Sequence, residues 1–127
     1  MADPAAPTPR ELEILKVLWD IGPSSVRDVY RRLAEAQEDD LAYNTVQTLL
    51  RIMETKKLVK HHQDGRAFIY SPTYTRQESV RGFLDRVFDG AADQLVMTLL
   101  STEELSQQEL EKMQQMIREA RKRKTER

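Results

Sequence analysis

The stretch Ala42–Pro72, AYNTVQTLLRIMETKKLVKHHQDGRAFIYSP, decides how this chain folds. Its first half has a helical period. Val46, Leu49, Leu50 and Met53 recur at spacings of 3 and 4 and so face inward from a helix over about residues 44–57. The opposite face carries Asn44, Gln47, Thr48 and Arg51, where a solvated helix normally carries Glu and Lys. The second half changes period. Leu58–His62 and Arg66–Ser71 flank Gln63-Asp64-Gly65, and Asp-Gly between two short runs is a strong hairpin signal.

Upstream, two more helices are expected. Thr8-Pro9-Arg10-Glu11 opens the first with a capping box and a proline in the first turn, and Gly22-Pro23 stops it after the stripe Leu12, Leu15, Leu18, Trp19. Ser25 and Asp28 start the second, which carries Val26, Val29, Tyr30 and Leu33 to about Gln37, before the acidic turn Glu38-Asp39-Asp40. Three helices and a hairpin are the order of a winged helix-turn-helix, in which the third helix is the usual reader of DNA.

That assignment explains the outer face of the third helix. Gln and Asn can bond adenine in the major groove, Arg can bond guanine, and the Thr methyl can pack on the thymine methyl. Asn44, Gln47, Thr48 and Arg51 are therefore the expected base readers. Lys60 and Arg66, on the hairpin, are expected to touch the phosphate backbone and fix register, with Thr45 beside the phosphates. The net charge of the whole chain is only −1, but Tyr43–Arg66 holds five bases against two acids. A local basic patch binds phosphates whatever the total.

Pro72 marks a boundary. Beyond it, helices are expected over about 76–89 and 91–100, and a third follows the Ser106/Glu109 capping box and frays into Arg121-Lys122-Arg123-Lys124. Phe83, Leu84, Val87, Phe88, Leu95, Val96, Leu99, Leu100, Leu110, Met113 and Ile117 exceed what three short helices can bury alone, so they are assigned to a dimer interface. The expected organisation is an arm over 1–7, disordered by its Ala/Pro content, a winged-helix domain over 8–73, a helical dimerisation domain over 74–121 and a basic tail over 122–127. The fold class is mainly α with a small β-hairpin.

Several functions are disfavoured. The chain of 127 residues has no cysteine, so disulfides and thiolate metal sites are excluded. His61 and His62 are adjacent on a strand and point to opposite faces, which argues against a metal site, and no cofactor is expected. With no other histidine and no glycine-rich phosphate loop, an enzyme is not expected. No apolar run approaches the roughly 18 residues of a membrane span, and Ala2–Pro7 is too short and polar for a signal peptide. A cytoplasmic protein is expected. The competing reading is a winged-helix protein–protein interaction module, with Lys56–Lys60 facing an acidic partner.

Three segments, TPRELEILKVLWDIGPSSVRDVYRRL, the stretch quoted above, and FLDRVFDGAADQLVMTLL, together resemble the penicillinase repressor family, which includes repressors of β-lactamase and of methicillin resistance. The resemblance implies a transcriptional repressor that binds inverted-repeat promoter DNA as a homodimer. In antibiotic-responsive members a membrane-bound sensor metalloprotease is the partner that triggers cleavage and ends repression. The chain departs from the family pattern in three places. Lys57 stands where members often have glycine, implying a helix end that closes differently. Thr98-Leu99 stands where the antibiotic-responsive members have the cleaved Asn-Phe bond. The cysteine pairs of copper-responsive members are absent, which rules out copper sensing through thiolates.

Overall fold

A computed structural model describes residues 6–36 and 41–126. The element order is α1 (Pro9–Ile21), β1 (Ser24–Ser25), α2 (Val26–Ala36), α3 (Tyr43–Thr55), β2 (Val59–Asp64), β3 (Ala67–Pro72), α4 (Arg76–Phe88), α5 (Ala92–Thr102) and α6 (Gln107–Thr125). Residues 1–5 of the arm expected over 1–7, and the whole of the acidic turn expected over 38–40, lie outside the described residues. The chain forms two compact units, one ending at Gly90 and the other beginning at Ala91.

The first unit is a winged helix. Its core joins Ile14, Leu15 and Leu18 of α1, Val29 and Leu33 of α2, Val46, Leu50 and Met53 of α3, and Leu58, Val59, Tyr70 and Tyr74 around the sheet. Three of the four inward residues read from α3 are buried, and Leu49 packs against them half-buried. The sheet is antiparallel in the order β1-β3-β2. The hairpin pairs Val59 with Pro72 through to Asp64 with Ala67. Its two-residue turn is therefore Gly65-Arg66, with Gly65 at φ 63° in the first central position, where only glycine is free of steric cost.

The sequence predicts Ser24 and Ser25 only as a helix start. They also form β1, opposite Tyr70 and Ile69 of β3, and tie the α1–α2 link to the hairpin. Ser25 Oγ still accepts the backbone N–H of Asp28 at 3.1 Å. A second feature that the sequence does not show is the grouping of α4 with the winged helix in one compact unit, which ends at Gly90. The reason is visible at the start of α4. Tyr74 is buried in the core, Trp19 Nε1 donates to its carbonyl at 2.9 Å, and the Arg76 guanidinium sits 5.3 Å from the Trp19 ring. A third difference is the basic tail, which stays helical to Thr125.

The end of α3 closes in the left-handed conformation, with Lys57 at φ 66°. Leu58 N–H reaches back to Met53 C=O at 2.9 Å and Lys57 N–H to Glu54 C=O at 3.0 Å, the bond pattern of a Schellman motif. The chain thus ends this helix in the glycine-type geometry, without the glycine. Near by, Glu11 is buried at 1% exposure. Its carboxylate accepts from Thr8 N–H at 2.8 Å, completing the α1 capping box, and from Lys56 Nζ at 2.9 Å. Burial alone pushes this carboxyl up, but the Thr8 backbone bond and the Lys56 ammonium outweigh it and hold it below the ordinary value.

Lys57→Gly should stabilise the protein by up to about 1 kcal/mol and Lys57→Val should destabilise it, because an L-residue in this conformation costs about 1–2 kcal/mol. Urea unfolding measures both. Glu11→Gln should destabilise by about 1–3 kcal/mol, since the buried acceptor loses its charge-assisted bond. Because the folded-state carboxyl is depressed, its contribution is complete above the ordinary value of 4.5 and is lost as pH falls below it. The wild-type advantage over Glu11→Gln should therefore shrink on acidification, and an advantage that grows would contradict the assignment.

Candidate nucleic-acid interface

The seat of α3 in the core fixes which of its residues point out. At about 100° per residue, burial of Val46, Leu50 and Met53 leaves Asn44, Gln47, Thr48 and Arg51 on the opposite arc. Asn44, Thr48 and Arg51 are exposed and Gln47 is half-buried. Thr45 is exposed on the flank of the same helix. Lys60 and Arg66 are exposed on β2 and in the hairpin turn.

A groove of about 600 Å³ runs between α3 and the hairpin. Tyr43, Gln47 and Arg51 line it from α3, Arg66, Phe68 and Tyr70 from the hairpin, and Arg27 from α2. The structure therefore brings Gln47, Arg51 and Arg66 to one groove, whereas Asn44, Thr45, Thr48 and Lys60 do not line it. Phe68 projects into this groove and is 42% exposed. It stacks on His61 with centroids 4.5 Å apart, and His61 Nδ1 lies 2.6 Å from Glu54 Oε1. The imidazole N–H thus donates to a carboxylate on α3 and braces the hairpin against it. Beneath, burial pushes the Tyr70 hydroxyl up, the Glu54 charge adds to this and Arg51 opposes it.

Arg27 and Arg31 are absent from the residues that sequence reasoning picks out. They stand one turn apart on α2, with Tyr30 and Tyr43 around a smaller recess, and the two tyrosine rings meet edge to face at 5.6 Å. Arg27, Arg31, Arg51 and Arg66 have no acidic partner among the described residues, whereas Arg10 pairs with Glu13 and Arg32 with Asp20. The available signal is the i, i+4 spacing of Arg27 and Arg31 away from the apolar stripe of α2. Only the fold shows that Arg27 meets the α3 groove.

A winged helix that exposes Asn44, Thr48 and Arg51 on α3 beside guanidinium groups without an acidic partner among the described residues has the features of a DNA-binding module. Residues 7–119 match the profile described as Penicillinase repressor. The chain belongs to the penicillinase repressor family and is a DNA-binding transcriptional repressor, not an enzyme. It is similar to the penicillinase repressor of Bacillus licheniformis, 28% identical over 120 residues that span 91% of this chain and 92% of the relative. Its fold is similar to the solution structure of the DNA-binding domain of the repressor BlaI, with a TM-score of 0.52 at 27% identity, over 61% of this chain and 93% of that one. It is also similar to Bacillus licheniformis BlaI, solved as a monomeric form in complex with the blaP half-operator, with a TM-score of 0.50, 27% identity and the same coverage. Among the described residues no helix is long and apolar enough to cross a membrane.

Proposed function

We propose that the chain represses transcription as a homodimer that binds an inverted repeat in promoter DNA. The observation that carries the DNA half is the shared groove of Gln47, Arg51 and Arg66, and the half-operator complex of BlaI supports it. In this reading α3 enters the major groove and Asn44, Gln47, Thr48 and Arg51 meet base edges. Thr45, Lys60 and Arg66 hold the backbone, and Arg27 and Arg31 extend that hold along α2. Phe68 packs on the sugar edge of the strand lying in the groove.

The observation that carries the dimer is that α4, α5 and α6 contain no buried residue. Val87 is 55% exposed, Met97 60% and Ile117 54%. Phe83, Val96, Leu99 and Leu100 are exposed, while Leu84, Phe88, Leu95, Leu110 and Met113 are half-buried. Helices of 11–19 residues depend on packing an apolar face for their stability. A second copy supplies that packing through the self-complementary contact of a two-fold pair, and a two-fold pair matches a palindromic site. The helical part from 74 to 121 is then the dimerisation domain, and 8–73 the reader.

Repression ends when the dimer is lost. An inducing signal such as proteolysis by a membrane-bound sensor metalloprotease would end it by dividing the interface, but Thr98-Leu99, exposed on α5, is not the Asn-Phe pair, so a protease of that specificity would not cut there. A repressor of this kind works in the cytoplasm, where its promoter is.

Arg51→Ala should relax base preference at one position per half-site, at about 1–3 kcal/mol per contact. Arg66→Ala should weaken all sequences alike and flatten the salt dependence. Anisotropy titrations on a promoter fragment, its point variants and random duplex separate the two, and identical behaviour would refute the division of roles. Leu99→Asp should sediment as a monomer, and an intact dimer would exclude α5 from the interface.

A further inference from the structure

The apolar stripe of α6, formed by Leu110, Met113, Ile117 and Ala120, ends at Ala120, yet the helix continues to Thr125. From Arg118 to Glu126 this end carries five bases, Arg118, Arg121, Lys122, Arg123 and Lys124, against Glu119 and Glu126. None of Arg121, Lys122, Arg123 and Lys124 has an acidic side-chain partner among the described residues. The helix dipole favours a cation in the last turn, but that effect is small and does not require four in succession.

We propose that the carboxy-terminal turns of α6 form a cationic collar that binds the phosphate backbone of duplex DNA without regard to sequence. The proposal rests on the reading that this chain binds DNA. At about 100° per residue, the four consecutive bases from Arg121 to Lys124 point around the whole circumference of the helix. Whichever side of α6 packs on a partner copy, cations remain on the other. A membrane surface needs a different pattern, with bases on one side and apolar residues on the other. None of the residues from Arg121 to Arg127 is apolar. A polyanion that offers phosphates in many directions suits an all-round collar. The collar shares a chain with the winged helix, so its contact with a duplex adds a sequence-independent contribution to whatever α3 supplies.

The test is the full chain with Arg121→Gln, Lys122→Gln, Arg123→Gln and Lys124→Gln together, with helicity and dimer sedimentation checked against wild type. Binding to a random duplex and to a promoter fragment is followed over a salt series. The slope of log affinity against log salt should fall by roughly 0.9 for each phosphate that is no longer neutralised. Affinity should drop by the same factor on both duplexes, leaving their ratio unchanged. Lys122→Arg with Lys124→Arg should keep the wild-type slope. An unchanged slope in the glutamine variant overturns the collar. So does wild-type binding to phosphatidylglycerol vesicles that the variant loses while its DNA slope stays the same. Absence of any promoter preference in the wild type would sink the repressor reading instead, and the slope on random duplex would still decide the collar.

Discussion

The geometry of the winged helix hangs on one knot of backbone hydrogen bonds at Leu58. Its N–H closes α3 onto Met53, and its carbonyl accepts both Thr73 N–H and Tyr74 N–H at 3.0 Å. Thr73 Oγ1 donates to the Lys57 carbonyl at 2.8 Å, and Trp19 Nε1 holds Tyr74. The end of α3, both feet of the hairpin, the start of α4 and the end of α1 therefore meet within a few residues. The left-handed backbone at Lys57 makes the knot possible, because it turns the chain sharply enough for Leu58 to enter the core.

The groove between α3 and the hairpin follows from that knot. The two walls leave it at a fixed angle, and the contact of His61 with Glu54 and Phe68 braces them further out. In the proposed reading rigid walls matter, because base and backbone contacts would form together and any freedom between them would have to be frozen out on binding. The ion pair of Lys56 with buried Glu11 anchors the same helix end to the start of α1, so a charged side chain read as a surface base serves the core as well.

Much of the reading unit is legible along the chain. The inward set of α3 is found as read, with Leu49 at its edge, because a 3–4 spacing of apolar residues leaves a helix only one way to sit. The capping boxes at Thr8 and Ser106 form as read, since each depends on residues three apart. The pairing of Ser24 and Ser25 with β3 is not legible, because two serines carry no periodic signal and their partners lie about 45 residues away. The seat of Tyr74 and the grouping of α4 with the winged helix escape sequence reading for the same reason.

Local pattern thus determined every element type but β1, the polar face of α3 and the surplus of apolar residues after Pro72. These are properties of neighbours along a helix or strand, and spacing alone encodes them. The tertiary structure decided what the pattern could not. It brought Arg27 to the groove that Arg51 and Arg66 line, and it put Lys57 in the left-handed region against its own preference, held there by the burial of Leu58. It also left every side chain of α4, α5 and α6 without full cover. Those outcomes depend on contacts between residues far apart in sequence, whose energies exceed the local preferences they override.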